Sequence, residues 1–452
     1  MQTVKIRSIL ASMKLRVLAL PALLSANLYA SEVAGDWPRW RGPFNNGMAR
    51  SEAPLKWSDT ENVAWKIPIP GLGHSSPVIW EDRIFLTTAV RTSNKEADSA
   101  SPPRGRRSFG QGSSEEQPEH RLIVMAVDRK TGKVIWEQTA RTVRPHEGYH
   151  QTYGSFASNS PVTDGKHVYA FFGSRGIYCY SLDGKLIWER DLGVRMRMRN
   201  AFGEGTATVL EGDTLLLLFD HEENSFLVAL DKRNGKTLWK VDRDEPSNWA
   251  PPLVVEHQGR KQVIVSAPNK VRSYDLASGK LIWECAGLGL NTIPAPVYKD
   301  GIVYVMSGFR NPNLMAIRLG REGDLTGTDA IVWSTNRGTS YTPSPVLHDG
   351  KLYMLTDSGM LSCLDAATGK PYYDRVRLPK PYNFKASPVG ANGRLYLSSE
   401  EGDVVVVKMG EKFEILATNT MADQMFVATP AVAGGEIYLR STTHLFCIRQ
   451  SN

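Results

Sequence analysis

The sequence is poor in cysteine and in long apolar runs, and it has no strong excess of charge of one sign. Four of its 452 residues are Cys, no two of them adjacent, which excludes a small fold built on disulfides. A single long apolar stretch, near the N-terminus, excludes a membrane protein with several spans. The formal net charge is +7, and four of the basic side chains lie in the first 30 residues. The remaining chain is so nearly balanced that it predicts no nucleic-acid partner.

Residues 1–30 have the pattern of an export signal. Basic side chains precede the apolar run 17–24, and Ala30 is a small residue suited to the cleavage point. The run is short for a spanning helix, so a membrane anchor is the less favoured alternative. No Cys lies near the cleavage point for lipid attachment. We therefore expect a periplasmic or secreted protein with no transmembrane segment beyond the signal peptide.

The strongest signal is a repeat that occurs eight times. The units open with a Ser-Pro-Val or small-Pro-small anchor (Thr-Ala-Thr in the third) and continue through short β-rich runs, and several close with Asp-x-x-x-Gly-Lys and a strand containing Trp. From the second unit onward the anchors are 42 to 49 residues apart. This period, with about four short strands per unit, is typical of a β-propeller. The central anchor positions are 77, 161, 207, 252, 296, 345, 388 and 430.

An N-terminal strand is predicted to complete the last unit. The sequence has eight anchors but only seven complete tails, and residues 62–67 match a tail strand, including its Trp, here Trp65. We therefore expect an all-β fold, a single eight-bladed propeller over residues 62–450, after an entry segment over 31–61. Such closure removes the free sheet edges that promote association. The first unit contains an excess at 92–119, rich in Ser, Gly, Arg and Glu, which is predicted to be a mobile surface loop.

Two residue types are expected to be structural. The tail Trp residues recur in register and should pack between blades, with Phe413 in the equivalent place of the seventh unit. The Cys residues lie in separate predicted strands and are expected to be small buried side chains. The Trp positions are 65, 136, 188, 239, 283 and 333, and the Cys positions are 179, 285, 363 and 447.

The anchors, turns and Trp tails resemble the quinoprotein-like repeat family, which is named for pyrroloquinoline quinone (PQQ). Within it the chain is similar to the exported BamB-like propellers of the planctomycete type. The segments that carry this closer resemblance are DWPRWRGP at 36–43, SFLVALD at 225–231 and GDLTGT at 323–328. The resemblance covers about residues 36–450 and implies the fold; a shared fold does not by itself transfer chemistry.

The resemblance implies two different functions. The first is an exported, non-catalytic binding or scaffold protein, BamB-like, acting in outer-membrane or cell-envelope protein assembly. It would be monomeric, with protein partners or an envelope polymer as ligands. The alternative is a PQQ- and calcium-dependent quinoprotein dehydrogenase, an oxidoreductase. Many such enzymes stack PQQ on a disulfide between adjacent Cys residues, and this sequence has no adjacent pair.

The residues just before each anchor lead into the innermost strands, so we expect them at one mouth of the central channel. They combine aromatic, amide and charged groups, as ligand sites do; the competing interpretation is that they satisfy backbone groups at the strand ends. Trp249 lies outside the tail register and would stack on a flat ligand or cap the core. The predicted binding residues are His74, His150, Tyr153, Glu204, Asn248, Trp249, Asn291, Tyr341 and Lys385.

One short motif resembles a metal site. His146, Glu147 and His150 fit the H-E-x-x-H spacing, which in zinc proteases depends on a helix that brings both His to one face. Pro145 and Gly148 disfavour a helix here, so we expect a loop. The three side chains remain weak metal candidates in another geometry, and no catalytic residue is predicted.

Overall fold

The computed structural model describes residues 35–92 and 112–450. In these residues 33 strands form eight sheets, seven of four strands and one with a fifth. Each sheet corresponds to one sequence repeat, and the sheets follow one another as the blades of a ring. The predicted eight-bladed all-β propeller is therefore confirmed. The signal peptide and most of the 92–119 insertion lie outside the described residues.

Blades 1 to 4 are meanders in which consecutive strands pair antiparallel. Two 3₁₀ turns, Gly173–Arg175 and Arg199–Ala201, are the helical elements of the described chain, and no helix within it is long and apolar enough to cross a membrane. With strands numbered in chain order after β1 (Val63–Pro68), these blades contain β2 (Val78–Trp80), β3 (Arg83–Arg91), β4 (His120–Asp128), β5 (Val134–Val143); β6 (Val162–Thr163), β7 (His167–Phe171), β8 (Ile177–Ser181), β9 (Leu186–Arg190); β10 (Val209–Glu211), β11 (Thr214–Phe219), β12 (Ser225–Asp231), β13 (Thr237–Arg243); and β14 (Leu253–His257), β15 (Arg260–Val265), β16 (Val271–Asp275), β17 (Leu281–Cys285).

Blades 5 to 8 repeat the same meander, and β1 supplies the outermost strand of blade 8. The short strand β21 belongs to the chain of blade 5 but pairs with β17 of blade 4. These blades contain β18 (Val297–Lys299), β19 (Ile302–Ser307), β20 (Asn313–Arg318), β21 (Gly323–Asp324), β22 (Ile331–Thr335); β23 (Val346–His348), β24 (Lys351–Leu355), β25 (Met360–Asp365), β26 (Pro371–Arg377); β27 (Val389–Ala391), β28 (Arg394–Ser398), β29 (Asp403–Lys408), β30 (Ile415–Thr420); and β31 (Ala431–Ala433), β32 (Glu436–Arg440), β33 (His444–Arg449).

The ring closes between the two ends of the chain. Strand β1 pairs antiparallel with β33, and Trp65 lies opposite Cys447 while Ile67 lies opposite Leu445. The predicted closure of the last blade by an N-terminal strand is confirmed. Because the last blade takes one strand from the start of the chain, opening the ring requires a complete strand pair to separate.

The anchors hold the inner strands of neighbouring blades together. The backbone N–H of Ser76 in blade 1 donates to Ser160 Oγ in blade 2 at 2.8 Å. The same bond links Ser344 to Ser387 at 2.9 Å, and Ser387 to Thr429 Oγ1 at 3.1 Å. At the anchors of blades 2, 6, 7 and 8 the Ser or Thr before the proline thus satisfies an N–H that the short inner strands leave unpaired.

The tail Trp residues join the outer strands of neighbouring blades. The Trp136 indole N–H of blade 1 donates to Leu182 O in blade 2 at 2.8 Å, and the ring lies against Gly184. A Cβ on Gly184 would come within 2.7 Å of that ring, so only glycine fits the turn. The same indole-to-carbonyl bond recurs from Trp65 to Arg129, Trp188 to Lys232, Trp239 to Leu276 and Trp333 to Ala366.

Blade 4 departs from this arrangement. Its Trp283 is fully buried and donates to Gln262 Oε1 of its own blade at 3.2 Å. Blade 5 has no Asp-x-x-x-Gly-Lys turn to receive the indole. Instead its longer connection places β21 beside β17, with Gly323 opposite Trp283. The insertion therefore covers the outer edge of blade 4 and replaces the usual contact between blades.

The structure corrects one expectation and supports another. Phe413 does not occupy the Trp place of blade 7. It lies in the turn before β30, which is closed by a bond from Lys408 N to Glu414 O, and Ala417 lies opposite Val406 at the Trp place. The four Cys are buried free thiols in the structure, as expected. Cys179 lies directly opposite Trp188 on the neighbouring strand, where a small side chain leaves room for the indole.

Replacing Gly279 by Ala tests the Trp–Gly contact. Gly279 has φ +72°, and a Cβ would lie 2.7 Å from the Trp239 ring, whereas Gly212 has φ +57° with open space around it. Both Ala variants carry backbone strain, but only Gly279→Ala adds a clash. We expect urea denaturation to show an unfolding free energy about 1–3 kcal/mol lower for Gly279→Ala than for Gly212→Ala. Equal losses of unfolding free energy in the two variants would contradict the Trp–Gly contact.

Candidate functional site

A cavity of about 1280 Å³ lies inside the ring of inner strands, and we call it the cup. Residues from the start of blades all around the ring line it, which places it on the propeller axis. Its wall at the level of the anchors includes Ser76, Ser160, Ala207, Pro251, Ser387 and Thr429. The loops between successive blades surround its mouth, where Asn200 and Arg310 are exposed.

The entry segment crosses the opposite end of the cup. Trp37 forms a two-way backbone bridge with Ile79 of blade 1, at 2.9 Å in both directions. Pro38 O then accepts a hydrogen bond from Thr163 N of blade 2 at 3.0 Å. Further along, Trp40 Nε1 donates to Thr429 of blade 8 at 3.1 Å, and the Trp40 side chain lines the cavity. The segment thus forms a floor.

Arg41 fixes this floor to the far side of the ring. Its guanidinium is buried and donates to Pro345 O at 2.8 Å and to Pro388 O at 3.0 Å. Both acceptors are anchor carbonyls, in blades 6 and 7. Burial lowers the pKa of Arg41 to about 9. A buried cation held by backbone carbonyls depends on their exact position, so the floor is tied to the geometry of the anchors.

Eight of the nine predicted binding residues line the cup. They are His74, His150, Tyr153, Glu204, Trp249, Asn291, Tyr341 and Lys385. The ninth, Asn248, is turned away and lines a separate small cavity; its amide donates to Asp220 Oδ2 at 3.0 Å and to Ser266 O at 2.8 Å. The structure therefore brings the eight together, and their role in binding stays a prediction.

One wall of the cup carries stacked aromatic rings beside a cation. The His150 ring stacks on Tyr153 with centroids 4.7 Å apart, and Lys385 Nζ lies 4.6 Å from the Tyr153 centroid. Lys385 also pairs with Asp357 at 2.9 Å. Burial opposes the charge of Lys385, but Asp357 and Glu400 outweigh burial and raise its pKa. Burial, helped by Lys385, lowers the pKa of His150, so this wall carries one fixed and compensated cation.

Asp357 connects this wall to the next one. Its Oδ1 accepts from Lys385, while Oδ2 accepts the backbone N–H groups of Tyr341 and Thr342, each at 3.0 Å. The Tyr341 hydroxyl accepts from Asn291 Nδ2 at 3.2 Å. The Tyr341 ring lies 5.2 Å from that of Phe309. One carboxylate outside the lining thus positions both a cation and an aromatic wall.

The remaining predicted residues are held by local bonds. Glu204 receives Arg175 Nη1 at 2.8 Å on one oxygen and Ser174 N at 2.5 Å on the other. Trp249 donates from its indole to Gly203 O at 2.8 Å, while its ring lines the cup. Glu204 is therefore an engaged carboxylate, and Trp249 is a fixed aromatic surface.

Several lining residues escaped the sequence reasoning. Trp40 comes from the entry segment, and Phe309 and Arg310 come from the loop between β19 and β20. The predicted binding residues, in contrast, all precede an anchor. Arg199 and Phe202 lie a few residues before the anchor at 207. The expectation that residues before the anchors line the channel mouth could therefore have included them. The entry-segment and loop residues carry no signal in the repeat pattern, because only the closed ring brings them to the axis.

Comparison with known proteins gives the family. A family model described as outer membrane protein assembly factor BamB matches residues 120–371 and 321–412, well over half of the chain. The chain belongs to this BamB family of PQQ-like propellers. BamB of Yersinia pestis is 25% identical over 350 residues, covering 73% of this chain and 80% of the relative.

Two solved structures share the fold of this BamB-family propeller. BamB from Moraxella catarrhalis aligns with a TM-score of 0.56 at 12% identity, covering 86% of this chain and 98% of that one. The quinohemoprotein alcohol dehydrogenase from Comamonas testosteroni aligns with a TM-score of 0.60 at 10% identity, covering 92% and 81%. At such identities these likenesses establish the fold alone.

The side chains of the H-E-x-x-H residues make separate contacts in the structure. His146 Nε2 is bonded to Met196 O at 2.7 Å, Glu147 Oε1 accepts from Met198 N at 3.1 Å, and His150 is stacked in the cup. The motif lies in a loop, so its spacing does not place both imidazoles on one face. Across residues 35–92 and 112–450, no three His, Cys, Asp or Glu side chains are grouped to hold a metal ion.

The residues of the cup do not fit a calcium–PQQ pair. Calcium takes six to eight oxygen ligands, carboxylates among them. In the described part of the chain Glu204 is the one acidic side chain that lines the cup, and both its oxygens are already engaged. The four free Cys are buried in separate blades and offer no disulfide on which PQQ could stack.

Calorimetric titration of the purified chain with PQQ is therefore expected to show no calcium-dependent heat. Calcium-dependent binding of PQQ would contradict the conclusion that the cup does not fit this pair.

We expect Glu147 to make the stability of the fold depend on pH. Burial raises its pKa from the ordinary 4.5 to about 7. Between these values the folded chain holds a proton that the unfolded chain has lost, so rising pH destabilises the native state. Glu147→Gln removes this penalty, and its melting temperature relative to the native sequence should be higher at pH 8 than at pH 5. Glu256→Gln, at an exposed position in β14, is the control. If the melting temperature of Glu147→Gln differs from that of the native sequence by the same amount at both pH values, the prediction is contradicted.

Proposed function

We propose that this chain is an exported, non-catalytic BamB-family scaffold that captures protein partners with the loops around its cup during outer-membrane or envelope protein assembly. The family match carries the proposal: the model for the outer membrane protein assembly factor covers most of the propeller. The named role of the Yersinia relative supports the same reading. The predicted signal peptide would deliver the chain to the envelope.

The charges of the cup support binding rather than catalysis. A general acid or base must exchange a proton with its substrate. Glu204 is held by Arg175 in a buried ion pair at 2.8 Å, and Lys385 is held by Asp357 at 2.9 Å. Moving a proton to or from either group would break a bond that stabilises the wall. These side chains suit a rigid surface better than a reaction centre.

The mouth offers the surface for a partner. Asn200, Arg310 and Asn311 are exposed at this end of the ring. Asn200 precedes the anchor of blade 3, and the other two lie in the loop between β19 and β20 of blade 5. Rigid strands with variable connecting loops are a common way to present a binding surface. The turn that holds Lys412 lies at the other end and carries no residue of the cup.

Photo-crosslinking in the native host tests the capture of partners. A benzoylphenylalanine at position 200 or 310 should yield defined crosslinked proteins, and these should be envelope proteins. The same group at exposed position 412, in the turn before β30 and away from the mouth, is the matched control. Equal crosslinking from position 412, or none from the mouth, would contradict the proposal.

The assembly role needs a separate measurement. Deleting the gene should lower the amounts of outer-membrane proteins in the isolated envelope, and the native sequence should restore them. A variant with Asp at both 200 and 310 should restore them less well, because it changes the charge of the mouth without touching the blades. Unchanged envelope composition after deletion would remove the assembly role while leaving partner capture open to the crosslinking test.

A further inference from the structure

A guanidinium and an aromatic ring lie side by side at the mouth of the cup. Phe309 and Arg310 are consecutive residues in the loop between β19 and β20, and both line the cavity. The Arg310 Cζ lies 5.5 Å from the centroid of the Phe309 ring. Arg310 is exposed, and within residues 35–92 and 112–450 it forms no ion pair. It is therefore a cation that a ligand can reach.

The Phe309 ring belongs to a preformed apolar surface. Its centroid lies 5.2 Å from that of Tyr341. The Tyr341 hydroxyl accepts from Asn291 Nδ2 at 3.2 Å, and its backbone N–H donates to Asp357 at 3.0 Å. Because Tyr341 is held at both ends, little ordering of the protein is needed when a ligand packs on the two rings.

Two buried guanidinium groups directly behind the lining also lack a carboxylate partner among the residues that the structure describes. The Arg41 Cζ lies 5.7 Å from the Trp40 ring, which lines the cup. Arg440 donates to Ser75 O at 2.8 Å, and both chain neighbours of Ser75 line the cup. Burial lowers the pKa of each arginine to about 9, so both are charged at neutral pH. Since charges act more strongly in a poorly hydrated interior, these two favour an anion in the cup over a cation.

The carboxylates at the cup already have cationic partners. Glu204, the one acidic side chain in the described lining, is bound by Arg175 at 2.8 Å. Asp357 and Glu400 lie 2.9 and 3.7 Å from Lys385. An anionic ligand would meet two carboxylates beside Lys385, whereas Arg310 has none. The place for a ligand anion is therefore Arg310, and a ligand ammonium group finds no open carboxylate in the lining.

A cation beside a pair of rings matches the last residue of a polypeptide. That residue carries a carboxylate and a side chain on one Cα. Its carboxylate can stay partly hydrated at the rim on Arg310 while an apolar side chain descends onto Phe309 and Tyr341. An amino terminus would bring the wrong charge. Because the floor with Trp40 closes the far end, a chain end enters from the mouth more simply than a segment that must also leave by it.

We infer that the cup receives the carboxyl-terminal residue of a partner polypeptide, with its carboxylate bound by Arg310 and its apolar side chain packed on Phe309 and Tyr341. The inference rests on the proposed function, because it names the part of a captured protein that enters the cup. Its test uses the purified chain and synthetic peptides. A negative result there leaves capture in the host to the crosslinking test, and failed crosslinking with intact peptide binding would remove the proposed function alone.

Two peptides that differ in one group are the first measurement. Acetyl-Gly-Ser-Gly-Ser-Leu-Phe as the free acid should give saturable binding in calorimetric titration. The same peptide with a carboxyl-terminal amide should bind about tenfold more weakly, because it loses a charge-assisted bond. Raising the salt concentration should weaken the acid and leave the amide unchanged. Equal binding of acid and amide, or no binding of the acid, would overturn the inference.

Acetylphenylalanine separates a polypeptide from a small carboxylic acid. It carries the same carboxylate and ring but none of the preceding chain, so it should bind more weakly than the free-acid peptide. Equal affinity would assign the cup to a small aromatic acid and would overturn the polypeptide as its occupant.

Matched variants locate the carboxylate. Arg310→Gln should weaken the free-acid peptide by about tenfold and leave the amide unchanged. Arg318→Gln removes the same charge from an exposed position at the far end of β20 and should preserve the preference for the acid. Native-like preference for the acid in Arg310→Gln would place the carboxylate elsewhere and overturn the inference.

A second pair of variants locates the side chain. Phe309→Ala should weaken both peptides by about tenfold, the order expected when an aromatic contact is lost. Phe44→Ala removes the same side chain from an exposed position in the entry segment and should change neither affinity. Melting curves establish that each variant is folded. Unchanged binding by a folded Phe309→Ala would contradict the packing of the last side chain on this wall.

Discussion

The fit of an outer-strand indole against a glycine of the next blade is the contact on which the rest of the propeller depends. At Trp239 and Gly279 the ring takes the space that any Cβ would occupy, and its N–H satisfies Leu276 O of the neighbouring turn. One bond and one steric match therefore set both the distance and the angle between blades. The same bond and fit recur at five of the eight junctions between blades, where they hold neighbouring blades at the same spacing.

The N-terminal segment contacts the ring in two places. Residues 63–68 complete the last blade, and the residues just before them cross the axis, with Arg41 held by Pro345 and Pro388. The strand that closes the propeller and the floor that closes its channel are thus parts of one continuous stretch. The cup can form only when the ring is closed, because Arg41 finds its carbonyls only in the assembled circle.

Much of this architecture can be predicted from the sequence, because the repeat places the same residue types at the same structural positions. The anchor rule works for Trp249 and Tyr341, which precede inner strands and line the cup. It is wrong for Asn248, whose side chain turns away to Asp220. It gives no signal for Trp40, Phe309 or Asp357, whose places depend on contacts between distant parts of the chain. The prediction for Phe413 is wrong because this residue belongs to the turn before β30, and Ala417 takes the Trp place within the strand.

In the cup the fold sets the shape of the cavity, whereas individual side chains set its chemistry. The propeller is shared with a quinohemoprotein dehydrogenase at 10% identity, so the ring does not determine what its axis holds. What the axis holds depends on which side chains remain unsatisfied after folding. Here Lys385 and Glu204 are paired with Asp357 and Arg175 inside the protein, and aromatic rings from several connections line the cavity. The chemistry of the axis is therefore set by the side chains that line it, and the ring alone does not determine it.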